Sequence, residues 1–374
     1  MPITLIYMVA GLSSRFGGKI KQFAKIGPQG ETLIEYSLNQ AIKAITNSTD
    51  LNKIIFIVGE KTQDQFKEIF QDNYKGIPIE YALQSYNHET RDKPWGTADA
   101  LITALPFIDN TIILCNGDDI YGETAFELLT NHLTNTNEDT AIFSKLIDKL
   151  PNQGEVTRGI FTSENNYLNS AVEVFNLSKL NFKEKGLNEN SPCNINLFGL
   201  NKNTILELNN KVNQFKLANQ TDRKKECFIH VELANLAREG KTKIKLIPIN
   251  EEILGLTNPE DEEVVREKLK NKVSEIPTPY IFEITNKSGR KIHITKERWS
   301  HIRKKHHEIE NYDIIEETLK KPDKITNIDI DEKVHYYYKH YKHRPPKERF
   351  LQVIVKYINN SGFILTAGFK PYIK

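Results

Sequence analysis

Residues 3–9 read ITLIYMV, and residues 10–23 read AGLSSRFGGKIKQF. A short continuous apolar run predicts a buried strand, and here it delivers a Gly/Ser-rich loop carrying cations. Gly11 lets the backbone come close to a phosphate chain, and Ser13 and Ser14 leave N–H groups free to donate. Arg15 and Lys21 can neutralise the charge that grows during phosphoryl transfer. The loop lacks GxxxxGK[ST], so it is not a P-loop, and it lacks the GxGxxG of a Rossmann dinucleotide site. Taken alone, it also reads as a Gly-rich turn with solvated charges.

The pattern repeats downstream. Ile34, Leu38, Ala41 and Ile45 give 32–46 a helical stripe, and 53–58 (KIIFIV) and 77–84 (IPIEYALQ) read as strands around a polar helix at 62–74. A helix at 97–105 precedes a buried strand, 111–115 (TIILC), which runs into Asn116-Gly117-Asp118-Asp119. Alternating strands and helices predict an α/β fold with a mostly parallel sheet flanked by helices. Ligands bind such sheets at the carboxyl ends of strands, where both polar motifs lie. Asp118 and Asp119 at that edge suit Mg²⁺ held against a triphosphate; a turn or helix cap is the plainer reading. Farther on, AIFSKLI, YLNSAVEV and KIKLIPI read as strands, INLFGL leads into a helix at 201–214, and CFIHVELANLARE and 258–271 read as helices.

Composition divides the chain. Residues 278–374 carry 20 Lys and Arg against 12 Asp and Glu, a net of +8, while the whole chain is +2, so 1–277 carry −6. Seven of the ten histidines also follow residue 277. These shifts predict a domain at 1–272, a linker at 273–279 and a basic domain at 280–374 with a different partner. Cys115, Cys193 and Cys227 form no CxxC pair, which argues for a reducing, cytoplasmic compartment. No apolar run approaches the roughly 18–20 residues of a membrane helix.

The run AGLSSRFGGKIKQFAKIGPQGETLIEYSL resembles the opening of sugar-phosphate nucleotidyltransferases of the Rossmannoid, GT-A-like fold. Pro94-Trp95-Gly96-Thr97-Ala98 is similar to that family's P-x-G-T segment, and Asn116 to Gly122 to its N-A-D-D-F-Y-G. Arg158-Gly159, Glu173, Asn196-Leu-Phe-Gly199 and Gly255 to Asp261 continue the likeness in order. It implies an NTP and a phosphorylated acceptor, usually a sugar 1-phosphate, with Mg²⁺ as cofactor and pyrophosphate as product. Carried over, Gly11, Ser13 and Ser14 hold the triphosphate, Arg15 lies on its β/γ oxygens and Lys21 at the α-phosphate. Gln84, Gly96 and Thr97 serve the nucleotide, Asp118 is the main metal ligand with Asp119 beside it, and Glu173 and Asn196 line the acceptor pocket. There are departures. Residues 253–257 (ILGLT) have no aspartate where many relatives place a second metal ligand, Lys19 precedes Lys21 in a longer loop, and the segment at Glu226, Cys227 and His230 lacks the family's proline.

The last 95 residues predict strands at 280–284 and 291–294, helices at 295–310 and 312–320, and three strands near 334–341, 350–358 and 362–369. On a helix over 295–310, Trp299, Ile302, His306 and Ile309 share a face, with Arg303 beside His306 and His301 opposite. The order W-S-H-I-R-K-K-H-H-E, H-Y-Y-Y-K, F-L-Q-V-I-V-K and T-A-G-F resembles small nuclease domains of the barnase–EndoU–colicin–RelE class. These cleave RNA without metal by attack of the 2′-hydroxyl, which implies His306, Arg303, Tyr337, Arg349, Lys356 and Thr366 as site residues, with His301 second. The basic and aromatic run HYYYKHYKHR suits RNA as partner. An inactive RNA- or partner-binding module, or a structural appendage, fits the same residues.

Overall fold

A computed structural model of the chain describes residues 2–11, 16–256, 258–275, 280–286, 289–309, 311–327, 333–358 and 361–373. Ser13, Ser14 and Arg15 lie outside the described residues, as do 276–279 of the expected linker. Backbone contacts divide the chain into two units, Met1–Lys270 and Asn271–Lys374.

The N-terminal unit begins with β1 (Ile3–Met8), α1 (Leu33–Thr46), β2 (Leu51–Gly59), α2 (Gln63–Phe70), β3 (Asn73–Tyr74) and β4 (Ile77–Gln84). Then come α3 (Thr97–Thr103), β5 (Thr111–Asn116), β6 (Asp119–Ile120), α4 (Glu123–Asn135), β7 (Asp139–Lys145), β8 (Val156–Glu164) and β9 (Tyr167–Leu177). It closes with β10 (Pro192–Leu200), α5 (Lys202–Ala218), α6 (Ile229–Arg238), β11 (Ile244–Pro248), β12 (Leu254–Gly255) and α7 (Asp261–Glu275). The main sheet has the order β3-β4-β2-β1-β5-β10-β7-β11-β9-β8. β4, β2, β1 and β5 run parallel, β10 enters antiparallel between β5 and β7, and β8 and β9 form an antiparallel pair. The sheet is therefore mixed, with its parallel part where the strand–helix alternation predicted it.

Alternation along β1 builds the core on both sheet faces. Leu5 and Tyr7 pack with Ile34, Leu38 and Phe126 from α1 and α4, while Ile6 packs with Leu101, Leu208 and Leu233 from α3, α5 and α6. α1 starts at a capping box, in which Thr32 and Glu35 satisfy each other's backbone N–H groups. The three cysteines are buried and unpaired. Among the described residues, no helix is long and apolar enough to cross a membrane.

The C-terminal unit contains β13 (Tyr280–Thr285), β14 (Lys291–Thr295), α8 (Lys296–Lys305), α9 (Asp313–Lys320), β15 (Lys324–Asn327), β16 (Val334–His340), β17 (Phe350–Ile358) and β18 (Ser361–Lys370). Its sheet order is β13-β14-β18-β17-β16-β15, antiparallel except for the β14–β18 pair. Ile302, Ile315 and Leu319 from the helices close its core against Val353 and Val355.

Three expectations are corrected. The helix expected over 295–310 ends at Lys305, and His306 is its C-cap with φ −129°. His306 therefore leaves the helical phase that had placed it on the Trp299–Ile302 face. Residues 273–275 continue α7, so the linker does not begin there. β8, β15 and α4 were not anticipated, and the polar helix expected to reach residue 74 stops at Phe70.

Candidate active site

β1 and β5 end side by side, with Met8 opposite Asn116 in a parallel register. The turn after β5 folds back on β1 through a bond from Gly117 N to Met8 O, 3.0 Å. Asp118 and Asp119 thus sit beside the start of the loop that leads to Lys21. Lys21 follows that loop in a short 3-10 turn, Lys21–Phe23, and its ammonium pairs with the Asp118 carboxylate. The same Nζ donates to Leu256 O at 2.9 Å. Three remote segments therefore converge on one cation. Lys19, the other loop lysine, is exposed.

The two aspartates differ. Asp118 is partly exposed, its side chain 32% accessible. Asp119 accepts from Asn116 Nδ2 at 2.9 Å, and burial together with the Asp118 charge raises its carboxyl above the usual range. β12 pairs with β6, bringing Gly255 opposite Asp119. A Cβ at position 255 would stand 2.5 Å from Asp119 Oδ1. The segment expected to supply a second aspartate is thus at the site, but it packs a side-chain-free residue against the first carboxylate pair. Among the described residues, no group of three or more His, Cys, Asp or Glu could hold a metal. Two hard oxygen donors at a strand end still fit Mg²⁺, which keeps several waters and takes its other ligands from substrate phosphates.

Tyr121 connects this turn to β10, which carries Asn196, expected to line the acceptor pocket. Its hydroxyl donates to Ile195 O at 3.0 Å, accepts from Asn116 N at 3.0 Å and lies 3.5 Å from Asp119 Oδ2. Ile195 sits in an irregular stretch of β10 between Asn194 and Leu197. There Asn196 takes φ +52°, held by the Asn194 side chain, whose Oδ1 accepts from Asn196 N and whose Nδ2 donates to Asn196 Oδ1. Glu173 on β9 faces Gly159 of β8 and approaches the ring of His230 from α6 to 3.2 Å. That approach is off the line of a hydrogen bond, and both ring nitrogens of His230 are buried and unbonded among the described residues. Burial pushes His230 down to about 4 and Glu173 up. The aromatic rings of Phe161 and Phe228 flank the imidazole.

The structure brings together Gln84, Gly96 and Thr97, the residues expected to serve the nucleotide. Gln84 is buried, and its amide donates to Gly96 O and to Asp99, each at 3.1 Å. Gly96 has φ +100° and ψ −172°, a region that only glycine occupies readily. A Cβ there would also stand 2.6 Å from Cys227 O. Ala98 N donates to Cys227 O and Ile229 N to the Thr97 hydroxyl, both at 3.0 Å. The 227–230 segment, read from sequence as family drift, is a clamp on this loop. Tyr121, Cys227 and His230 were not singled out because their contacts span 57 to 132 residues of sequence.

In the C-terminal unit the expected residues fall into different surroundings. His306 Nδ1 lies 3.2 Å from Glu308 Oε1, and the guanidinium of Arg344 donates to Glu308 O at 3.1 Å. Arg303, Arg349 and His301 are exposed, Lys356 and Thr366 half-buried. Tyr337 is buried and belongs to a separate group with Asn286 and Tyr357. The cation structurally tied to the His306 pair is Arg344, which sequence spacing did not single out.

Residues 19–160 match the family described as nucleotidyl transferase. No curated protein matches the chain in sequence. Among solved structures, the fold is similar to that of a protein described as a glucose-1-phosphate thymidylyltransferase from Bacillus anthracis, at 12% identity and TM-score 0.53, covering 72% of this chain and 96% of that one. It is also similar to the inositol-1-phosphate CTP transferase from T. maritima, at 14% identity and TM-score 0.50, covering 73% and 96%. A UDP-glucose pyrophosphorylase complexed with UDP-glucose gives 11% identity and TM-score 0.50, covering 73% and 100%.

Proposed function

We propose that the N-terminal unit transfers a nucleotidyl group from an NTP to a phosphorylated acceptor of the sugar 1-phosphate class, releasing pyrophosphate. The observation that carries this reading is the convergence of Lys21, Asp118 and the β12 segment at the ends of β1 and β5. An oxygen of the acceptor phosphate attacks the α-phosphorus, and the bond to the β-phosphate breaks as pyrophosphate leaves. No protein nucleophile is required, because positioning and charge neutralisation lower the barrier. Lys21 supplies a cation where negative charge builds up. The loop at 11–18 offers backbone donors at Gly11, with Ser13, Ser14 and Arg15 completing it. Gln84, Gly96 and Thr97 form the wall toward the base, and Glu173 and Asn196 the wall toward the acceptor. Asp118, with Asp119 behind it, would hold Mg²⁺, which adds charge neutralisation at the phosphates when bound. The family match and the nucleotide-sugar chemistry named for the similar structures support this reading.

The test is pyrophosphate release from each NTP with Mg²⁺ and a panel of sugar phosphates. Release with one pair, reduced at least a hundredfold in Asp118→Asn, is expected, in line with loss of a transition-state charge partner. Absence of release with every combination overturns the reading.

For the C-terminal unit we propose RNA cleavage without metal, supported by the half-buried His306 paired with Glu308, whose backbone carbonyl accepts from Arg344, in a unit of net charge +8. His306 takes the 2′-hydroxyl proton as that oxygen attacks phosphorus, and the 5′-oxygen leaves. Cleavage that persists in EDTA and is lost in His306→Ala is expected. Tight, salt-sensitive RNA binding without turnover would instead make the unit a binding module.

A further inference from the structure

The C-terminal unit holds a pocket of about 270 Å³ that the site residues above do not explain. It opens between the β13–β14 hairpin, the end of α9 and strands β16 and β17. Its polar lining is Asn286, Arg290, His335, Tyr337 and Tyr357, and its apolar wall is Leu319, Pro322 and Ile325. None of these is a carboxylate.

The polar residues are held in order. Asn286 Oδ1 accepts from Arg290 N at 3.0 Å, which turns its amide nitrogen toward the tyrosines. That nitrogen donates to Tyr357 OH at 2.9 Å and to Tyr337 OH at 3.2 Å. The two hydroxyls lie 2.5 Å apart. They carry two protons, of which only one can lie between them, and the described residues offer the other no acceptor. The Arg290 guanidinium stands over the Tyr357 ring at 4.8 Å, and the His335 ring meets the same ring edge-on at 4.9 Å. Arg290 is half-buried and has no carboxylate partner among the described residues. A half-buried guanidinium oriented by stacking, a spare hydroxyl proton and no carboxylate partner among the described residues together call for an anionic acceptor.

We propose that this pocket binds one phosphorylated nucleotide, its phosphate on Arg290 and the Tyr337–Tyr357 pair. The nucleoside ring lies against Pro322 and Ile325. A flat ring with a charge attached uses both walls, as bases do where aromatic and arginine side chains share a groove. The volume, just under the roughly 300 Å³ at which small-ligand pockets begin, suits a single nucleotide and not a longer segment. The assignment of phosphate rests on this geometry alone; only the source of the nucleotide, an RNA strand, rests on the proposed ribonuclease reading.

Calorimetric titration of the full chain with uridine monophosphate, a 5′-phosphorylated uridine dinucleotide and inorganic phosphate tests it. Both nucleotide probes should bind more tightly than phosphate, and Arg290→Ala should weaken them at least tenfold, the loss of a charge-assisted contact. Tyr357→Phe, which keeps the ring but removes the hydroxyl, should weaken them severalfold. An unaltered thermal unfolding curve checks that Arg290→Ala is folded, and Arg290→Lys, which keeps the charge without the stack, should give partial recovery. Nucleotide binding of unchanged affinity in Arg290→Ala overturns the proposal. Equal affinity for inorganic phosphate removes the nucleotide from it. Arg290-dependent binding without any RNA cleavage leaves the pocket standing and the ribonuclease reading refuted.

Discussion

Lys21 is held by two acceptors from far along the chain, Asp118 and the Leu256 carbonyl. It joins the loop to the acidic turn, and in the proposed reaction its charge meets the entering phosphate. Lys21→Met should lower pyrophosphate release about 10²- to 10³-fold, as loss of one preorganised charge partner does. Stability should change by less than about 1 kcal/mol, since Asp118 remains open enough to be hydrated. A stopped-time pyrophosphate assay beside a melting curve separates the two effects; a collapse in melting temperature with unchanged rate would make Lys21 structural. His230 gives a second prediction. Its folded pKa is depressed by burial to about 4, below the ordinary histidine value. The unfolded chain takes up the proton first, so the stability from keeping the ring neutral is complete above about pH 6.5. It is lost as pH falls to about 4, by about 3 kcal/mol. Urea unfolding at pH 7.5 and 4.5 should show this loss in the wild type and a shallower one in His230→Phe. Identical pH slopes in both proteins would refute it.

At the scale of elements, the loop before α3 depends on a segment more than 130 residues away. Gly96 takes a conformation open to glycine and lies against the Cys227 backbone. Gly96→Ala should therefore cost about 3 kcal/mol or more, combining backbone strain with a steric clash that backbone cannot relieve. Differential scanning calorimetry would show it, and a shift of under about 1 kcal/mol would mean the clamp yields. Here the limits of sequence reading are plain. β1, β2 and β5 were legible because they are continuous apolar runs, and α1 because its stripe is a local signal. Asp118 was picked out because it follows a strand end and Lys21 because it follows the Gly-rich loop, and the structure pairs the two. β8 was not, since its outer residues are exposed and only the pairing with β9 makes it a strand. The Cys227 clamp, the Tyr121 bridge and the Arg344–Glu308 contact are fixed by tertiary closure, and no spacing along the chain announces them. His306 was misplaced because α8 stops one turn early, and its C-terminal run Arg303-Lys304-Lys305 already favours a helix end.

The two units carry separate cores and opposite net charges. Clusters around Leu5 and Ile6 fill the N-terminal unit, and a separate cluster around Ile302 and Val353 fills the other. Residues 1–277 are net −6 and residues 278–374 net +8. An acidic body would repel RNA, whereas a basic unit releases counterions on binding it and so binds with a steep salt dependence. The two chemistries should then be separable by cutting the chain. A protein ending at Glu275, the end of α7, keeps every residue assigned to nucleotidyl transfer and should retain the pyrophosphate release of the full chain within about twofold, because its core is its own. It should lose measurable RNA binding, which in the full chain should weaken by at least tenfold between 50 and 200 mM salt through multiple phosphate contacts. Filter binding at both salt concentrations and the pyrophosphate assay check the two halves independently. Activity lost on truncation while the shortened protein still melts cooperatively would show that the basic unit acts on the transferase site, and the division of labour would have to be abandoned.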